Sequence, residues 1–183
     1  MSASVAREEL DELRRNLQKI LRDFGPDYWS EVDRARAFPE RCYAAMAEAG
    51  IFGTLIPERW GGVDAGTAAT SVIVEEINRA GGDAAAINAQ MAICGTLVRS
   101  GSDELRDRFL PGVATGEVRF LTVAATEPDS GADMTALESK ARQDGDAWIL
   151  DARKVLPAPS CQPGFCRRQA AGQVSSSRFA RNV

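Results

Sequence analysis

The sequence predicts a mainly α fold in three parts: a helical bundle, an incomplete β region and a disordered tail. Three observations carry this. Apolar residues recur at helical spacing through most of the first 118 residues. At Phe120 the pattern turns to a short apolar run bounded by turn residues, as in a buried strand. After Asp151 the composition changes, and from Leu156 neither period survives. The expected domains are therefore 1–118, 119–155 and 156–183.

Each element has its own warrant. Leu10, Leu13, Leu17, Ile20, Leu21 and Phe24 fall on one face of a first helix, with charged residues opposite, until Gly25 and Pro26 stop it. A short second helix runs through Tyr28, Trp29 and Val32. Pro39, with φ already set for a helix start, opens a third that turns Cys42, Tyr43 and Met46 inward and ends at Gly50. Ile51 to Gly66 reads as an irregular connection, punctuated by Gly53, Pro57, Gly61, Gly62 and Gly66, and long enough to suggest a role. Helical period returns at Thr67, breaks at Gly81 and Gly82, and resumes from Asp83 as an N-cap through to Gly101. Ser102 caps a short charged helix that Pro111 is expected to end. Phe120 to Ala125 is the expected strand, and the Asp144-Gly145 pair joins two further runs as a hairpin.

Composition narrows the chemistry. The chain has 183 residues, 22 basic and 26 acidic side chains, and no histidine. Without an imidazole there is no Ser/His/Asp triad, no HExxH zinc site and no two-Cys two-His finger. If this is an enzyme, carboxylates or a cofactor do the work. The acidic balance argues against nucleic acid as a partner. No run approaches the ~20 apolar residues of a membrane span, and the residues from Met1 to Glu12 lack a secretory signal, so the cytoplasm is expected. Cys42 and Cys94 read as small buried hydrophobes, whereas Cys161 and Cys166 form a lone pair that no second pair completes into a metal site. The last 32 residues carry six basic and no acidic side chains, which leaves a net charge of −10 on everything before them. Leu156 to Val183 is accordingly read as largely disordered.

The stretch Thr122 to Asp133, TVAATEPDSGAD, resembles the point where the middle domain of the acyl-CoA dehydrogenase family opens. The likeness extends over about Ala6 to Val155. FPERCYAAMAEAGIFG followed by IPERWGG looks like the family's helix-then-loop entry, SDELRDRFLPGVATGE like its last N-terminal helix and exit, and DGDAWILDARKV like its hairpin. The resemblance implies an N-terminal helical bundle of that family, FAD as cofactor and an acyl-CoA thioester as substrate, oxidised to its α,β-enoyl form. A glutamate takes the α-proton and the β-hydrogen leaves as hydride, so no histidine is required.

Carried over by the resemblance, Val123, Ala124, Ala125 and Thr126 would lie along the flavin, where small side chains let a flat ring approach and a hydroxyl can donate or accept. Gln90 and Met91 fall where family members line the acyl cavity, although Met91 also reads as ordinary core. Glu127 and Pro128 are read as architecture, with the carboxylate bonding backbone, and no residue here is assigned as the catalytic base.

Departures from the family are informative. Ala132 stands where the family's Gly-Ser-Asp has a serine that helps to hold coenzyme A, a loss of roughly 1 kcal/mol for one hydrogen bond. Asp151 and Ala152 occupy a turn that the family fills with Asn-Gly, where alanine at positive φ would be strained. Because the likeness stops after Val155, the chain is expected to be a truncated form without the catalytic glutamate, inactive alone and lacking the interface of the family's homo-oligomers. The alternative is a non-catalytic, frame-shifted fragment or a partner-binding helical module.

Overall fold

The structure, a computed structural model, describes residues 6–120, 125–145, 147–155 and the strand at 177–180. It divides into two compact units, Met1–Leu121 and Thr122–Val183.

The first unit holds six helices: α1 (Arg7–Leu21), α2 (Pro26–Ala35), α3 (Glu40–Glu48), α4 (Gly66–Arg79), α5 (Ala85–Ser100) and α6 (Asp103–Ala114). Their starts use the local chemistry available. Glu9 reaches back to the Ala6 amide at 2.9 Å, Pro26 occupies the first turn of α2, and the Ser102 hydroxyl accepts from the Leu105 amide at 3.3 Å. Asp83, expected as the N-cap of α5, lies one residue before it: Ala84 is the cap and carries no capping side chain, while Asp83 accepts from the Ala85 amide at 2.8 Å. Helix α3 ends where Gly50 adopts a φ of 71°, a left-handed position open to glycine without a Cβ penalty.

Two apolar clusters fill this unit. The larger joins Leu17 and Leu21 of α1 to Cys42, Tyr43 and Met46 of α3, Ile73 and Ile77 of α4, and Ile87 and Met91 of α5. The smaller gathers Ile56, Trp60, Cys94, Leu110, Val113 and Ala114. Both cysteines are buried free thiols, and burial pushes each up to about 11, so neither is a nucleophile near neutrality. Helix α1 is also tied to α4 by charge. Glu76, only 2% exposed, takes Arg14 Nε at 3.0 Å and Gln18 Nε2 at 2.9 Å, so its buried carboxylate is compensated.

Two expectations are corrected here. Helix α6 does not stop at Pro111 but continues to Ala114. Proline in a helix interior costs about 3 kcal/mol, yet the residues just around it, Leu110, Val113 and Ala114, are buried, and their burial offsets that cost. The connection from Ile51 to Gly66 is not irregular either. It contains 3₁₀ turns at Ile51–Gly53 and Glu58–Trp60 and folds back on itself through a backbone ladder. The amides of Val63, Asp64 and Ala65 donate to the carbonyls of Gly53, Ile56 and Thr54 at 3.0, 3.0 and 2.8 Å. Side-chain periodicity does not register an element held together by its backbone.

The second unit contains an antiparallel sheet in the order β1 (Lys140–Asp144), β2 (Ala147–Asp151) and β3 (Ser177–Ala180). Asp144 pairs with Ala147, so β1 and β2 form the expected hairpin across a two-residue loop, with Gly145 at φ 60°. Leu150 pairs with Ser177 and Ala147 with Ala180, which sets β3 against β2 in a stretch where no strand was expected. Asp151 ends β2, and Ala152 does not take a positive φ, so the strained turn expected there does not form. The rest of Leu156 to Val183, including Cys161 and Cys166, and most of the expected strand from Phe120 to Ala125 lie outside the described residues. Among the described residues no helix is long and apolar enough to cross a membrane.

Candidate functional site

Of the four residues expected along a flavin, Val123 and Ala124 lie outside the described residues, whereas Ala125 and Thr126 are half-buried. The backbone here is already engaged on its carbonyl side. Lys154 Nζ donates to the Ala125 carbonyl at 2.9 Å, and the Val155 amide donates to the Thr126 carbonyl at 3.0 Å. Neither the amide nor the hydroxyl of Thr126 has a partner among the described residues. A half-buried segment with a methyl side chain, two tied carbonyls and two donors unpartnered among the described residues fits the acceptor-rich edge of a flat heterocycle.

Immediately beyond, Glu127 and Ser130 close a tight turn around Pro128 and Asp129. The Glu127 amide donates to the Ser130 carbonyl at 2.9 Å, and the Ser130 amide returns a bond of 3.3 Å. The Glu127 side chain is 6% exposed, and both its oxygens are bonded. It accepts from the Glu138 amide at 2.6 Å, the Ser139 amide at 3.1 Å, the Ser139 hydroxyl, and Lys154 Nζ at 2.8 Å. These partners, Lys154 foremost, hold the carboxyl down at about 2, far below its ordinary 4.5. It therefore bonds backbone, as expected of it, and is too acidic to serve as a general base near neutrality.

A depressed carboxyl pKa means that folding binds fewer protons at this group than unfolding does, so the stability it confers is complete above the unfolded value. That contribution should be lost as pH falls from about 4.5 to about 2. We expect the amide NMR shifts of Glu138 and Ser139 to titrate with a midpoint near the lower end of this window. A midpoint near 4.5, the ordinary value, would refute the ion-pair assignment.

The same turn borders a cleft of about 580 Å³ in this unit, lined by residues that include Ser130, Leu137, Lys140, Asp151 and Arg153. Ser130 Oγ donates to the Asp133 carbonyl at 2.5 Å, and Asp133 takes the Thr135 amide at 3.0 Å and hydroxyl at 2.6 Å. Ala132, expected where the family has a serine, is exposed, and its carbonyl accepts from the Met134 amide at 3.1 Å.

In the helical unit, Gln90 and Met91 are both buried, at 0% and 1% exposure. Met91 packs in the larger apolar cluster. The amide of Gln90 spans the exit from the bundle: its Nε2 donates to the Val118 carbonyl at 2.7 Å, and its Oε1 accepts from the Phe120 amide. Between these two, Arg119 pairs with Glu40 at 2.8 Å and lies 4.4 Å from the Tyr43 ring centroid. Sequence reasoning missed this backbone-clamping geometry. Its one signal was an amide among apolar residues on a buried helix face.

Comparison with known proteins places the chain in a family. A family model described as acyl-CoA dehydrogenase, N-terminal domain, matches residues 7–117. An acyl-CoA dehydrogenase of Mycobacterium tuberculosis is 31% identical over 153 residues, 83% of this chain and 39% of the relative. A 3-(aryl)acrylate reductase of Clostridium sporogenes is 35% identical over 146 residues, 76% of this chain and 38% of the relative. The solved glutaryl-coenzyme A dehydrogenase in complex with glutaryl-CoA superposes with a TM-score of 0.75 at 28% identity, covering 100% of this chain and 49% of that one. The chain thus spans about two fifths of the length of the curated relatives it matches. With the family's N-terminal domain matched over most of the bundle, the chain belongs to the acyl-CoA dehydrogenase family.

Proposed function

We propose that this chain supplies the helical domain, 1–118, and the opening of the middle β domain, 119–155, of an FAD-dependent acyl-CoA dehydrogenase. The activity is removal of the α and β hydrogens of an acyl-CoA thioester, in a homo-oligomer as the resemblance implies. The observation that carries the reading is Thr126. Its hydroxyl and amide are uncommitted among the described residues, in the very segment that resembles the family's flavin strand. When bound, FAD would accept the hydride from the β-carbon.

The chain's own residues then have separable tasks. Thr126 would donate to the polar edge of the ring, Ala125 would admit the ring close to the backbone, and Val123 and Ala124 would extend that contact. Gln90 and Met91 would shape the helical wall toward the acyl group. At Ala132 only backbone contacts to the coenzyme A portion remain, which weakens that hold. Glu127 is left out of proton transfer because its carboxylate is committed to the Glu138 and Ser139 amides and to Lys154.

Titrating the chain against FAD and following the quenching of flavin fluorescence tests this. Measurable binding is expected, and Thr126→Val should weaken it by about fivefold to tenfold, the worth of one hydrogen bond of about 1 kcal/mol. Unquenched fluorescence at saturating chain, or equal affinity of wild type and Thr126→Val, would defeat the assignment.

A further inference from the structure

The turn after Thr126 is tied to a segment 27 residues further along by side chains rather than by a strand ladder alone. Glu127 receives four donors, three at Oε1 and one at Oε2, so both of its oxygens are bonded within the turn. Lys154 spends two of its three donors inward, one on Glu127 at 2.8 Å and one on the Ala125 carbonyl at 2.9 Å. Both side chains are largely withdrawn from water, at 6% and 18% exposure, so each would be left uncompensated without the other.

We infer that Glu127 and Lys154 are positioning residues: together they clamp the Ala125–Thr126 backbone so that the Thr126 amide and hydroxyl stay uncommitted. The clamp's role in setting how tightly the segment takes a flavin ring rests on the flavin reading above. Two features separate a clamp from an ordinary structural ion pair. One ammonium group bridges the carboxylate and the carbonyl of Ala125, the residue next to Thr126, whose amide and hydroxyl have no partner among the described residues. The neighbouring Val155 amide then secures the Thr126 carbonyl at 3.0 Å, so two consecutive carbonyls are held by two consecutive residues.

The test compares the intact wild-type chain with Lys154→Met and Lys154→Arg in two measurements. In amide hydrogen exchange, Lys154→Met should speed exchange at Val155, Glu138 and Ser139 by about tenfold while the amides of α4 are unchanged. In the FAD titration, Lys154→Met should raise Kd by about tenfold, and Lys154→Arg should return it to within about threefold of wild type, since a guanidinium can still bridge two acceptors. Unchanged exchange in Lys154→Met overturns the clamp. Wild-type FAD affinity in Lys154→Met overturns its role toward the ring. A wild-type chain that does not bind FAD overturns the flavin reading instead, and the exchange measurement then decides the clamp separately.

Discussion

Gly62→Ala should destabilise the helical unit by about 3–5 kcal/mol, a large share of the roughly 5–15 kcal/mol that holds an ordinary domain folded. A Cβ built at this position would sit 1.9 Å from the Ile56 carbonyl oxygen and 2.5 Å from that of Gly53. Both obstacles are backbone, so no rotamer change relieves them. The loop has to open, and with it go the bonds from Val63, Asp64 and Ala65 back to residues 53–56, worth about 1 kcal/mol each. Ile56 and Trp60, which anchor the smaller apolar cluster, would then lose their packing. Urea unfolding followed by far-UV circular dichroism measures the loss. As a control, Gly25→Ala adds a methyl that meets nothing within 4 Å and should cost under about 1 kcal/mol. Equal midpoints for the two variants would show that the loop is not built around Gly62.

Gln90→Leu comes next in expected size, at about 2–3 kcal/mol. Leucine nearly conserves the volume, so packing changes little. What is lost is chemical: the Val118 carbonyl and the Phe120 amide, both half-buried, are left without the side chain that satisfies them. Because that side chain fixes the chain where it leaves the bundle, exchange at residues 118–120 should accelerate more than exchange within α5. Uniform acceleration along α5 would indicate a simple core defect instead. Gln90→Glu discriminates further, since a carboxylate can still accept from Phe120 but cannot donate to Val118.

These two positions also show where the sequence was legible and where it was not. The helices could be read from apolar spacing because each buries a face against a common core, which is what periodicity records. Pro111 misled because local rules assign a cost to proline without weighing the burial of Val113 and Ala114 beyond it. The loop from Ile51 to Gly66 was invisible as structure because its order lies in main-chain bonds. Gln90 stood out as a polar residue on an apolar face, but its partners are 28 and 30 residues away, beyond any local pattern. In the second unit, Glu127 was read correctly as a carboxylate that bonds backbone. Lys154, 27 residues on, carried no signal that it would be the partner.

Cys42 lies in the larger apolar cluster and Cys94 in the smaller, each buried and each with its thiol held up at about 11. A thiol in that state is silent toward alkylating reagents until the packing around it parts, when it regains an ordinary reactivity. Each half of the core therefore carries its own chemical clock. Whether the two clocks run at one rate is equivalent to asking whether the bundle opens as a single cooperative body or as two.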